Sequence, residues 1–393
     1  MAKTKPQDRT GKSKKHGKGS QPSGAPKKTK TSPELLLTQA TALLQTSQPD
    51  EALVCARRAL VLLQPTLEPT VASLPALNLL GEINVELGDV EAARENFTLA
   101  ASLDPEGEIP GTLGGGAEKF LWLAQLCEEG GSESVQWFEK GVMVLRKEIG
   151  ELEGKGSTPP VIQALEEKKT KLANALCGAV EVYMTDLSWE EDAEARCENL
   201  VTEALLVAPN TPEPLQTLAS VRISQVRLED ARAALSRSLE LWKDLDPQDV
   251  KVPDFPTRIS LSRLLMEAEM EDDALEVLER LVGEDDSSVE AWYLGGWCLY
   301  LMSEKRKSSA DGAAERKVLV PLMRASREWL QNSLQLCQTL EYEDERLKEH
   351  AEELVHELTK VLGPPADGEE VDEAEDEWED DEEGSENEEM EDT

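Results

Sequence analysis

The sequence predicts an all-α fold: about seven irregular helix pairs stacked into a solenoid, closed by a C-terminal helix and flanked by disordered ends. Three observations predict it. Aromatic residues make up 4% of the chain while Leu, Ala and Glu are abundant, a balance that favours helices over strands. A pattern of large and small apolar residues recurs between residues 32 and 340, at intervals of about 34 residues in its clearest stretch. The two ends lack the pattern and carry opposite charge.

Residues 1–31 hold ten Lys or Arg against one acid, with Gly, Pro and Ser between them. No hydrophobic period is present, so a disordered basic arm is expected. Helical order starts at "TSPELLLTQA": Ser32 suits an N-cap, Pro33 the first helical position and Glu34 the helix N-terminus. The clearest unit is "LPALNLLGEINVELGDVEAARENFTLAASLDP", residues 74–105. Leu77, Leu80 and Gly81 share one helix, Gly88-Asp89 turns, Ala93, Phe97 and Ala100 share a second, and Pro105 ends it. Gly81 and Ala100 are small where two helices must cross closely, and the large residues fill the space around that crossing. Neither helix could bury such a stripe alone, so the units must stack.

This spacing resembles the tetratricopeptide (TPR) repeat. Weaker copies place small residues at Ala40, Ala52, Ala56 and Ala59, at Ala124 with Phe138 and Gly141, and at Ala204 after a helix around 172–183. Others use Ala219, Ala231 and Ser238, then Ser262 and Ala274, then Gly296, Ser326 and Ser333. A last helix within 341–363 caps the stack, and Gly363-Pro364-Pro365 stops it. Four stretches break the period and are expected as loops: 105–119, 150–160, 243–256 and 303–317. The domains predicted are therefore a basic arm (1–31), a TPR solenoid (32–340), a capping helix (341–363) and a disordered acidic tail (364–393).

Little chemistry is encoded. "GELEGKGST" is one residue short of a P-loop, and Gly156 stands where a hydroxyl must follow the lysine. Six cysteines lie at least 20 residues apart without CxxC pairs, so neither zinc nor a disulfide framework is expected; they read as small core residues. His16 belongs to the arm, and His350 and His356 are placed on exposed, different faces of the cap helix. No enzyme, metal or cofactor is expected. Nothing approaches a membrane span, and an intracellular, reducing location is predicted.

Recognition remains. The net charge is −39, and residues 367–393 contribute 18 acids in 27 positions with no Lys or Arg. The body between arm and tail is itself acidic, at −30. Such a field attracts basic proteins and repels nucleic acid and anionic membrane. In the clearest unit Asn78, Glu82 and Glu86 fall at four-residue steps beside the apolar stripe, on one helix face. Comparable positions hold Gln125, Glu128, Glu129, Glu181, Asp186, Gln216 and Glu267. In a TPR superhelix, which is right-handed, first helices line the concave wall, so these ten form a candidate acidic client-binding face. The tail "DEWEDDEEG" offers Trp378, Glu379, Asp380 and Asp381 as accessory contacts, with Trp378 able to stack on a cation.

The layout of basic arm, irregular TPRs, cap helix and acidic tail resembles the fungal dedicated assembly chaperones of large-subunit ribosomal protein L-four. The resemblance implies a basic client, ribosomal protein L-four, captured when newly made and escorted from cytoplasm to nuclear pre-ribosomes. The two basic clusters of residues 12–30 suit import factors. A TPR-type histone chaperone and a general interaction scaffold stay open as alternatives, the first disfavoured because its acidic stretch interrupts a repeat.

Overall fold

The computed structural model describes residues 32–66, 68–309 and 313–364. The basic arm and everything from Pro365 onward, including Trp378, Glu379, Asp380 and Asp381, lie outside the described residues. Among those described, fifteen α-helices and no strand occur. They group into two compact units, one ending at Leu126 and one beginning at Cys127.

The first unit contains α1 (Pro33–Gln45), α2 (Pro49–Leu63), α3 (Leu74–Glu86), α4 (Val90–Leu103) and α5 (Glu118–Gln125). Ser32 caps α1 by accepting from the Leu35 amide at 3.3 Å, with Pro33 at the first helical position. Small residues let α1 and α2 approach: Ala40, Ala52, Ala56 and Ala59 are all fully buried. In the α3–α4 pair a Cβ at Gly81 would collide with the Phe97 ring. Glycine is therefore obligatory at that crossing. Gly88 supplies the left-handed turn at φ +74°, and Asp89 caps α4 through the Ala92 amide. The Phe97 ring, itself fully buried, stacks on Trp122 of α5 with centroids 5.9 Å apart.

The second unit contains α6 (Gly131–Glu153), α7 (Pro159–Met184), α8 (Ala193–Val207), α9 (Pro212–Ser224) and α10 (Leu228–Glu240). It continues through α11 (Phe255–Glu267), α12 (Glu271–Glu284), α13 (Val289–Ser309), α14 (Ala313–Thr339) and α15 (Glu345–Leu362). The pairs α7–α8, α9–α10, α11–α12 and α13–α14 each pack as antiparallel neighbours. Serine replaces alanine at several tight crossings. Ser238, Ser326 and Ser333 are fully buried and satisfy their hydroxyls on the carbonyls of Pro212, Gly296 and Val289. Gly296 is needed because a Cβ there would meet Leu330. The cap helix α15 buries Leu347, Ala351, Leu354 and Leu358.

Three expectations change. The sequence pairs the Trp122 helix with the Phe138 helix, but α5 and α6 fall in different compact units. Instead α6 packs along α7, and Phe138 fills the space over Gly178, where a Cβ would come within 2.7 Å of the ring. The aromatic-on-glycine contact is kept, and its partner is the next helix rather than the preceding one. Second, two predicted loops shrink. Only residues 154–158 separate α6 from α7, and helix covers 303–309 and 313–317. Third, His350 is not exposed: it is half-buried, its Nδ1 lies 2.7 Å from the Tyr293 hydroxyl, and Trp297 meets it edge-on. Five cysteines are buried as expected, and Cys127 is half-buried.

Candidate binding surface

The ten candidate residues divide by what their neighbours demand of them. In the first unit Glu86 and Gln125 are exposed and Glu82 is half-buried. Glu82 and Glu86 share the open side of α3, while Leu77, Leu80 and Gly81 face inward. Asn78 is otherwise engaged: its Nδ2 donates to the Gly114 carbonyl at 2.7 Å. Gly114 has φ +84° and belongs to the 105–119 loop, so Asn78 ties that loop to α3.

The loop itself is fastened from beneath. The Asp104 carboxylate accepts from the Glu108 and Ile109 amides and pairs with Lys119 Nζ at 2.9 Å. Both side chains of the pair are buried, and Lys119 also donates to the Gly116 carbonyl. A buried charge with three such partners is satisfied, whereas either member alone would be stranded.

In the second unit Glu128, Glu129, Glu181 and Glu267 are exposed. Glu128 and Glu129 lie in the bend between the end of α5 at Gln125 and the start of α6 at Gly131 rather than on a helix. Glu181 is exposed as a residue, yet desolvation raises its carboxyl above the ordinary carboxylate range. The exposure decides its availability, and the raised pKa means that its charge is the sooner lost on acidification.

Two more candidates are tied to other elements of the second unit. Asp186 follows α7, and its Oδ2 accepts from the Gly131 amide at 2.9 Å. It thereby caps α6 from another part of the chain, next to Gly130 and Gly131 at φ +60° and +52°. Gln216 is only 6% exposed and reaches Ser238 at 3.5 Å between α9 and α10. Periodicity placed both on the open face. The turn after α7 commits Asp186, still exposed, to the α6 N-terminus, and the tight α9–α10 crossing buries Gln216.

One surface residue was missed. Trp189, in the turn between α7 and α8, is 78% exposed. Its indole N–H is satisfied by the Asp186 carbonyl at 3.0 Å, so the ring stands outward amid Glu190, Glu191 and Asp192. The sequence signal was "DLSWEED", an aromatic set in acids outside the repeat period, like "DEWEDD" in the tail. Nearby, Arg196 lies over the Tyr183 ring at 5.3 Å and donates to the Tyr183 hydroxyl at 2.7 Å, an arginine–aromatic contact already built into this region.

Among the described residues no group of three or more His, Cys, Asp or Glu could hold a metal ion, and no helix is long and apolar enough to cross a membrane. The Cys177 thiol is pushed up to about 11 and Cys298 to about 12, desolvation by burial being the main cause in both. Neither is a reactive thiolate near neutral pH.

No protein-family model matches the chain. Two curated fungal proteins do. One from Emericella nidulans, described as "Probable assembly chaperone of rpl4", is 54% identical over 360 residues, covering 88% of each chain. One from Schizosaccharomyces pombe with the same description is 36% identical, covering 77% of this chain and 85% of its own. A solved structure described as "Assembly Chaperone of RpL4 (Acl4) (Residues 1-338)" superposes with a TM-score of 0.64 at 52% identity, covering 71% of this chain and 99% of the other. The helix-pair architecture and both relatives thus agree, and this chain belongs to the family of fungal assembly chaperones of rpl4.

Proposed function

We propose that this chain is a dedicated chaperone of newly made ribosomal protein L4, holding a basic segment of its client against acidic surface and escorting it to nuclear pre-ribosomes. The observation that carries the reading is the relative 54% identical over 88% of the chain, whose description names rpl4. The charge distribution supports the mode of binding. Glu82, Glu86 and Gln125 in the first unit, and Glu128, Glu129, Glu181 and Glu267 in the second, stand at the surface of a body with a net charge of −30.

A segment destined for ribosomal RNA is rich in Lys and Arg and insoluble without its polyanion. Fixed carboxylates stand in for the phosphates, and RNA later competes for the same cations. Trp189 adds a flat face for an arginine side chain. The role is binding, with no catalytic step, no cofactor and no direct contact with nucleic acid or membrane. The basic arm at 12–30 would engage import factors and take the complex from cytoplasm to nucleus.

The test is titration of purified L4, and separately of its basic segment, into the full chain. A one-to-one complex that weakens steeply as salt rises is expected. Glu82→Lys with Glu86→Lys is expected to weaken capture by about tenfold or more, with unchanged helicity. Undiminished binding by that variant removes the acidic-face mechanism. Failure to bind L4 while binding histones reassigns the client.

A further inference from the structure

A helix pair of this fold buries its apolar stripes by stacking on neighbouring helices. Within the first unit the α3–α4 pair is covered by α2 on one side and by α5 on the other. The α1–α2 pair packs on α3 and leaves an apolar side uncovered: Leu35 of α1 is 59% exposed, and Val54, Val61 and Leu62 of α2 are 58%, 71% and 52% exposed. Val54, Arg57, Arg58, Val61 and Leu62 fall at i, i+3, i+4, i+7 and i+8, so they form one face of α2. A cleft of about 800 Å³ runs between that face and the start of α1, lined by Pro33, Leu36, Arg57, Arg58, Val61 and Leu62.

Charge selects the occupant. Residues 32–126 contain four basic and thirteen acidic residues. Lys119 is buried on Asp104, and Arg94 is half-buried and donates to the Leu126 carbonyl. Arg57 and Arg58 are both exposed, and neither makes an ion pair among the described residues. The two exposed cations of an acidic unit therefore stand together on its uncovered apolar face. A basic client is drawn to the acidic surface elsewhere and repelled here. Residues 1–31, which precede Ser32, hold ten bases, one acid and no Leu, Ile, Val, Phe, Tyr or Trp. They offer this face neither the charge nor the apolar stripe that it lacks.

We propose that this face binds an acidic amphipathic helix of a partner protein other than the basic client. A helix fits because the outward side of a stacked pair has the shape that a neighbouring helix fills, as α2 does for α3–α4. The partner's apolar stripe seats on Leu36, Val61 and Leu62, and carboxylates flanking that stripe pair bidentately with Arg57 and Arg58. The face from Val54 to Leu62 is about 12 Å long, so about two turns of the partner helix cover it. Left bare, the same stripe would invite nonspecific association. This face and the acidic client-binding surface attract opposite charges, so the chain can hold its client and the second protein together. The proposal does not depend on the identity of the client.

The test titrates the full chain into a fluorescent helical peptide of about 14 residues, with leucines at i, i+3, i+4 and i+7 and glutamates on the flanks. A photoreactive group in place of one leucine reports the site by crosslinking and mass spectrometry. Binding is expected, with crosslinks within residues 33–63. Scrambling the leucines off one face, replacing the glutamates with lysines, or introducing Arg57→Glu with Arg58→Glu should each weaken it by about tenfold or more. Val61→Ser should weaken it by about threefold or more, and both chain variants should keep their helicity. Absence of binding, crosslinks outside residues 33–63, equal binding of the scrambled or lysine peptide, or indifference to the arginines overturns the proposal. So does self-association of the full chain that Val61→Ser abolishes, which would make the face a contact between copies. An RNA oligonucleotide that binds through Arg57 and Arg58 in preference to the peptide overturns it too, and would make the cleft a nucleic-acid site.

Discussion

The two compact units use one packing device in two different ways. In the first, Phe97 of α4 fills the space over Gly81 of α3, the helix that precedes it. In the second, Phe138 of α6 fills the space over Gly178 of α7, the helix that follows it. The chemistry is the same: a glycine admits an aromatic ring at a close helix crossing. What differs is the length of the helices and the connection that joins them. A short left-handed turn at Gly88 folds α4 back on α3. Long helices joined by the turn at residues 154–158 fold α7 back on α6. An aromatic and a glycine at helical spacing thus specify a contact without specifying which neighbour makes it.

The largest test of that comparison is to remove each ring. Phe97→Ala and Phe138→Ala are each expected to destabilise by about 3–5 kcal/mol, and native-state hydrogen exchange should lose protection in the unit that contains the change. Loss of protection throughout residues 32–364 from either variant would show that the two units unfold as one. Next comes the buried pair that fastens the 105–119 loop. Asp104→Ala strands the Lys119 ammonium and should cost about 3 kcal/mol, read by denaturant titration. Arg146→Ala, which breaks an exposed pair with Glu203 in the second unit, should cost under about 1 kcal/mol.

A smaller effect separates the turns. Gly88 and Val226 occupy the same left-handed position between paired helices, at φ +74° and +60°. Glycine adopts this conformation freely, and a β-branched residue does so under strain. Gly88→Val should therefore lose about 1–2 kcal/mol. Val226→Asn should gain about 0.5–1 kcal/mol, both by thermal or chemical melts. The smallest effect is a pH dependence peculiar to the second unit. Desolvation, with the Asp254 charge adding to it, raises the Glu213 carboxyl above the ordinary range. The folded chain therefore holds this proton to higher pH than the unfolded chain, and the group's contribution falls as pH rises through that window. Glu213→Gln should stabilise near pH 7, and the gain should vanish near about pH 3, where the carboxyl is protonated in both states.

Much of the fold was legible because its signals are local. Ser32, Gly81, Gly88 and Asp89 act within a few residues or across one helix pair, and spacing reads them directly. The buried serines at 238, 326 and 333 were found for the same reason: only a small residue fits the crossing. The candidate face was less legible. Helical spacing assigns a side to Asn78, Asp186 and Gln216, but their roles depend on Gly114, Gly131 and Ser238, which lie 36, 55 and 22 residues away in sequence. His350 was misplaced likewise, because Tyr293 and Trp297 come from a different helix of the stack.

The sequence by itself determined that this chain is helical, that its helices pair through small residues against large ones, and that its body and tail both carry a large net negative charge. Those properties follow from composition, short-range spacing and summed charge, which survive any arrangement of the helices. Only the tertiary structure decided which helix Phe138 covers, which polar residues are spent on packing, and that Arg57 and Arg58 stand exposed beside an open apolar cleft. Each depends on which distant segments meet, and a hydrogen bond or a crossing formed there withdraws a side chain from solvent however its own helix would have turned it.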